Sequence, residues 1–155
     1  MRLFASTGII LLVVIGGIFI FYKKAEAPRS EQVGEQGPEQ LLALKVGNKT
    51  LWVERALTSE EITRGLMHRE HLPKDRGMLF IFPESNELLF WNKNTLIALD
   101  VIWVRSKNII GVSKLQAIKE GLQTVVSPEL ADAVLEVNSG WMDENGIKVG
   151  DKLEW

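Results

Sequence analysis

The chain is expected to be mainly β: a single β-sandwich or barrel-like domain, jelly-roll-like, with one short helix, preceded by an N-terminal transmembrane helix. Three observations predict this. Roughly eight short runs of strand length, each bounded by turn residues, fill residues 41–155. Only one helix is clearly signalled there, too few crossovers for a parallel α/β fold. Residues 3–22 (LFASTGIILLVVIGGIFIFY) carry no charge at all.

The apolar span comes first. Twenty residues at ~1.5 Å rise cover about 30 Å, the thickness of a hydrocarbon core. Arg2 flanks one end and Lys23-Lys24 the other, with Phe21 and Tyr22 suited to the interface. The competing reading is a cleaved signal peptide, since Ala25-Glu26-Ala27 resembles an A-x-A site. The length of the span, the two intervening lysines and Pro28 just beyond favour an uncleaved anchor in the lipid bilayer. Flanking positive charge is nearly balanced. Counted literally, it leans slightly toward a cytoplasmic domain. A short N-terminal tail that stays inside is the commoner outcome, so the rest of the chain is expected outside the cytoplasm. Residues 25–40 (AEAPRSEQVGEQGPEQ) are too poor in apolar side chains to fold and read as a flexible tether.

Within 41–155, strands are expected at 41–46 and 50–56, around the turn Gly47-Asn48. A helix follows. Thr58 and Glu61 make a capping box, and Leu57 and Ile62 a hydrophobic staple, so a helix is expected over 59–67 with Gly65 inside it. Residues 70–77 form a loop and 78–82 an apolar strand, and 83–86 turns the chain. Strands at 87–92 and 96–104 flank the polar knot Lys93-Asn94-Thr95. A turn at 105–108 leads into a strand over 108–116. Residues 117–131 carry no clear period. Residues 132–138 alternate as a strand, 139–145 suggest one helical turn capped by Ser139, and 149–155 close with a last strand.

Composition narrows the function. The net charge of −2, with 25% charged residues, gives no basic face for nucleic acid. There is no cysteine, hence no disulfide framework, thiolate nucleophile or cysteine zinc site. His68 and His71 are the only histidines; with no third ligand placed by sequence they read as solvated side chains, not a metal site. No Ser-His-Asp pattern, phosphate loop or nucleotide fingerprint is present, and no cofactor is implied.

The most informative residue is Asp100, a carboxylate in the otherwise apolar run 96–104. A buried charge needs a partner or a changed protonation state. Asp100 could pair with Lys93, Arg64 or Arg69 while Asn94 satisfies turn backbone groups. Alternatively Lys93, Asn94 and Asp100, with Trp91 and Arg69, form a polar pocket for a small ligand. Glu136, on the face of Val134 and Asn138, could pair with Asp100 in a two-carboxylate mechanism. Of the five tryptophans, Trp103 shares a face with Leu99 and Val101 and should be buried, and Trp141 and Trp155 are the better candidates for exposure.

Three segments, GLMHREHLPKDRGMLFIF, FWNKNTLIALDVIWV and DAVLEVNSGWMDENGIKVGD, resemble in order and spacing the bacterial and archaeal family called domain of unknown function 192. The resemblance covers residues 41–155. It implies a compact, mainly β domain, often exported or membrane-tethered, with no assigned activity. The family pattern falls on Gly65, Leu66, Met67, Arg69, Gly77, Met78, Phe80, Phe82, Phe90, Trp91, Lys93, Asn94, Thr95, Asp100, Leu135, Glu136, Gly140, Gly150 and Asp151. Two departures are Asn92, where the family usually has methionine, and Ala98, where proline is common. If the methionine lines an apolar pocket, Asn92 makes the pocket more polar. The leading expectation is a non-catalytic module that binds a small molecule or an envelope partner. The alternatives are a hydrolase or lyase using Asp100 with Lys93 or Glu136, and a structural interaction domain.

Overall fold

The computed structural model describes residues 11–15, 18–22 and 41–155. Leu11–Ile15 (β1) and Ile18–Tyr22 (β2) pair as antiparallel strands, in register from Leu11 with Tyr22 to Ile15 with Ile18. The rest of the expected anchor, and the tether over 25–40, lie outside the described residues. Among the described residues no helix is long and apolar enough to cross a membrane.

The remaining residues form a mainly β unit whose principal element is one seven-stranded sheet, curled into a half-barrel, with two short helices. Its strands are Leu42–Val46 (β3), Lys49–Ala56 (β4), Arg76–Asn86 (β5), Leu99–Arg105 (β7), Asn108–Leu115 (β8), Ala131–Asn138 (β10) and Leu153–Glu154 (β11). The spatial order is β11-β3-β4-β5-β10-β7-β8. Leu89–Trp91 (β6) and Thr124–Val126 (β9) pair in a separate two-stranded sheet. The mainly β class therefore holds, and of the two expected forms, sandwich or barrel-like, the curled half-barrel is nearer the second.

One pair, β4 with β5, is parallel. A parallel neighbour needs a crossover. The single clear helix supplies it: Ser59–Arg64 (α1) lies between the two strands in sequence. One helix is too few for a parallel α/β fold, but it serves the one parallel pair present. The capping box forms as expected: Glu61 N–H donates to Thr58 Oγ1 at 3.2 Å and Thr58 N–H to Glu61 Oε2 at 2.9 Å. Those backbone donors hold the Glu61 carboxyl below its ordinary range. The helix ends at Arg64, not at residue 67, because Gly65 turns the chain with φ +46° and ψ −133°, a conformation closed to most residues with a Cβ.

Other boundaries shift for identifiable reasons. Residues 83–86 do not turn; β5 runs through Pro83 to Asn86. The knot after β6 is longer than expected, so β7 begins at Leu99 instead of residue 96. Ser106 and Lys107, at φ +49° and +65°, make the tight turn between β7 and β8. The unread stretch 117–131 holds a 3-10 turn at Ile118–Glu120 and the strand β9.

The central strands β5, β10 and β7 are buried on both faces. On one face Leu79, Ile102, Val104, Leu135 and Val137 join Leu44, Val46, Leu51, Val53 and Leu153. Trp141 and Met142 of the second helix, Trp141–Asn145 (α2), cover that core. Trp141, expected to be exposed, is therefore buried. Trp52 and Trp91 are the exposed tryptophans instead. On the other face Met78, Phe80, Val101, Trp103 and Val134 pack with Leu66, Leu72, Leu88 and Phe90. Phe80, Phe90 and Trp103 stack edge to face, at centroid distances of 5.0 and 5.7 Å. Trp103 is fully buried on the face of Leu99 and Val101, as expected. Its indole N–H donates to Ser113 Oγ at 2.9 Å.

Candidate functional site

Two carboxyl groups sit inside this sheet, and strand register decides their fates. Asp100 on β7 lies opposite Val137, whereas Glu136 on β10 lies opposite Val101. Side chains alternate along a strand, so the two carboxyls point to opposite faces. A paired-carboxylate mechanism between them is excluded by this geometry.

Asp100 is 1% exposed and sits on the face of Ile102 and Val104. Among the described residues no side-chain cation is seen to meet it. Its Oδ2 accepts from the backbone N–H groups of Gly140 at 3.0 Å and Met142 at 3.4 Å, at the start of α2. Asp100, not Ser139, therefore ties down the first turn of that helix, and a short dipole end supplies the compensating charge. Its Oδ1 is buried without a hydrogen-bond partner among the described residues. The expected salt link to Lys93, Arg64 or Arg69 is replaced by backbone donors. Arg69 is instead engaged by both carboxylate oxygens of Glu54.

Glu136 lies on the other face, 4% exposed. In register across the sheet its neighbours are Met78 of β5 and Val101 of β7, both apolar. It accepts no hydrogen bond and makes no ion pair among the described residues. Burial alone pushes its carboxyl up to about 8. It lines a cleft of about 260 Å³, counted with its solvent-open mouth. Ile62, Thr63 and Arg64 of α1, with Gly65, Leu66 and Met67 after it, form one wall. Phe80, Phe90, Trp91 and Thr95 form the other.

Gly65 shapes this cleft. A Cβ built there would stand 3.4 Å from the Phe80 ring and 3.9 Å from Glu136 Oε2. A Cβ there would meet these groups at ordinary contact distance, so it is the positive φ of +46° that suits glycine. The knot after β6 fixes the opposite rim. Asn94, at φ +54°, accepts from His68 N–H at 2.8 Å through its carbonyl, joining the knot to the turn after α1. Asn94 Nδ2 also lies 4.0 Å from Met67 Sδ. Lys93 is exposed and stands 5.1 Å over the Trp91 ring.

The expected pocket residues are thus separated. Trp91 lines the cleft, Lys93 and Asn94 lie at its rim, Asp100 is on the far face, and Arg69 pairs with Glu54. Thr63, Gly65, Phe80, Phe90 and Thr95 were not singled out as site residues. Glu136 was weighed only as a partner for Asp100. The available signal was a lone charge on the face of Val134 in an alternating strand. Asn92 does not make the cleft polar. It is fully buried, and its amide donates to the carbonyls of Gln116 and Gly121 while its Oδ1 accepts from Gln123 N–H. It clips the 116–123 segment to the end of β6.

A mainly β domain with a donorless carboxyl under a small cleft defines the class. The family model described as "Uncharacterized ACR", domain of unknown function 192, matches residues 42–155, and the chain belongs to that family. No curated protein matches it. A crystal structure of a protein of unknown function from Novosphingobium aromaticivorans DSM 12444 is similar, at 32% identity and TM-score 0.70. The similarity covers 84% of this chain and 94% of that one. A candidate transcription regulator from Sinorhizobium meliloti 1021 is similar at 30% identity and TM-score 0.68, covering 76% of this chain and 97% of that one.

Two outcomes follow from the two carboxyls. Asp100→Asn weakens charge-assisted bonds to Gly140 and Met142, and is expected to cost about 1–3 kcal/mol, a drop in melting temperature of roughly 4–12 °C. An unchanged melting temperature would remove the assigned capping role. For Glu136, the folded carboxyl titrates near 8 and the unfolded one near 4.5, so between them the folded state holds the extra proton. Stability is greatest below the unfolded value and falls by about 2–5 kcal/mol as pH rises from 4.5 to 8. Urea unfolding across that window should show this slope, and Glu136→Gln should flatten it. Glu61 acts in the opposite sense, but only below its ordinary 4.5.

Proposed function

We propose that the domain is a non-catalytic module that binds a small molecule in the cleft above Glu136. The observation that supports this reading is a buried carboxyl that meets a solvent-open cleft with no partner from the protein. Buried polar groups are normally satisfied internally. One left incomplete beside a concave, partly aromatic surface is what a ligand site requires. Acid–base catalysis would need a second titratable group converging on the same space. Glu136 is the one carboxyl lining the cleft, and no histidine lines it. Arg64 is the one other ionisable side chain there, and its guanidinium offers donors but no acceptor for a proton. The hydrolase or lyase reading with Asp100 and Lys93 therefore has no assembled site.

The same proposal tethers the module to a membrane through residues 3–22, with the domain outside the cytoplasm. The uncharged, interface-flanked span supports this reading. In lipid such a span is helical, because a lone pair of strands leaves edge groups unpaired in hydrocarbon.

A thermal-shift screen of the full chain against mixed neutral, anionic and cationic metabolites should give at least one stabilising compound. Saturation at 100 times Kd adds about 2.7 kcal/mol. Thr63→Trp, which fills the cleft from an exposed rim position, should abolish the shift. Shifts that survive this substitution place binding elsewhere. For the anchor, alkaline carbonate should leave the chain in the membrane pellet, and external protease should digest its domain in spheroplasts. Release into the supernatant would overturn the tether, and protection from protease the orientation.

A further inference from the structure

The cleft also carries information about what it binds, resting on the reading above that it is a ligand site. Apart from Arg64, which lies exposed at its mouth, its polar side chains are acceptors. Thr63 Oγ1 spends its proton on the Ser59 carbonyl at 2.7 Å, and Thr95 Oγ1 on the Lys93 carbonyl at 3.3 Å. What both hydroxyls can still offer is lone pairs. Glu136 adds a carboxyl that receives no donor among the described residues, whereas Asp100 receives two backbone N–H groups. A complementary ligand must therefore bring donors. Phe80, Phe90 and Trp91 contribute aromatic rings, whose faces attract cations and repel anions. The cleft is small, about 260 Å³ counted with its solvent-open mouth, so the group that reaches the carboxyl must be compact.

We propose that the cleft receives the primary ammonium group of an amine. In it Glu136 is the counter-ion, Thr63 and Thr95 are acceptors, and the aromatic rings wall the attached alkyl chain. An ammonium is water-sized, carries three donors and supplies the charge that the carboxyl lacks. The sheet neighbours of Glu136 are apolar, and the charged or titratable groups on surrounding elements do not replace the ligand. Arg64 lies exposed at the mouth, within Coulombic reach of Glu61. His68 and Lys93 are exposed, and Arg69 is held by Glu54 of β4.

Binding exchanges one proton for one ammonium: the Glu136 carboxyl releases H⁺ to solvent, and the carboxylate pairs with R–NH₃⁺. Below the folded titration point near 8, affinity should rise about tenfold per pH unit.

The test uses the full chain in nonionic detergent with n-butylammonium chloride as probe and 1-butanol as its neutral control. Butylammonium should raise the melting temperature and bind about tenfold more tightly at pH 7 than at pH 6, whereas 1-butanol should do neither. Calorimetry in two buffers of different ionisation enthalpy should show close to one proton released at pH 7. Glu136→Gln should lose at least tenfold in affinity. The proton count needs only the wild-type chain, so it decides the matter even if that variant unfolds. Equal stabilisation by 1-butanol, no proton release, or unchanged binding in folded Glu136→Gln overturns the ammonium site. If butylammonium gives no shift while a neutral or anionic metabolite gives one that Thr63→Trp abolishes, the ammonium inference falls and the binding module stands. If no compound binds, both fall.

Discussion

The seven-stranded sheet has no wet side at its centre. Strands β5, β10 and β7 bury side chains on both faces, so any charge on them lies in apolar surroundings and must be accounted for locally. Most antiparallel sheets avoid this constraint by keeping one polar face in solvent. Here α2 and the β3-β4-β11 portion close one face, while α1, the segment after it and the β6-β9 pair close the other. Only apolar residues can fill such a sheet without a further device, and two carboxyls break the rule.

The two exceptions show how differently a fold can treat the same functional group. Asp100 is placed where a short helix begins, and the helix brings its unpaired N–H groups to the carboxylate. The charge then helps position α2, whose Trp141 and Met142 complete the core on that side. Glu136 has no such arrangement. Its in-register neighbours are Met78 and Val101, and the backbone near it at Gly65 sends no N–H to it. The Gly65 N–H is already committed to the Glu61 carbonyl at the end of α1. One carboxyl is therefore part of the scaffold, and the other is held by the scaffold in a state the scaffold does not satisfy.

Much of the scaffold could be read from residue pattern. The capping box, the helix start, the burial of Trp103 and the inward position of Asp100 follow from local chemistry and period-two alternation. The single curled sheet could not be read, because adjacency of β4 to β5 and of β5 to β10 is set by contacts between distant segments. The same limit explains Asp100: its cap comes from Gly140 and Met142, some forty residues on. No spacing rule links them. It also explains the site. Lys93 and Asn94 drew attention as a polar cluster, yet their conformation serves the rim of the cleft. The carboxyl at its floor sits in DAVLEVN, where its surroundings come from α1, β5 and β6.

Gly65 connects these points. It terminates the crossover helix, so α1 is short. It turns with a positive φ, which aims the next segment across the sheet and lets Leu66 enter the core. Its missing side chain leaves the space between Glu136 and Phe80 unfilled. A larger residue would strain the turn and fill the space beside the carboxyl, so the same atom that ends the helix also sets the depth of the cleft. The parallel pairing of β4 with β5, which needs a crossover, thus places an opening beside an unsatisfied acid. A domain built only for stability could place an apolar residue at position 136 and close that opening. On the proposed reading, the donorless carboxyl, the acceptor hydroxyls and the glycine beside them serve a partner from solution.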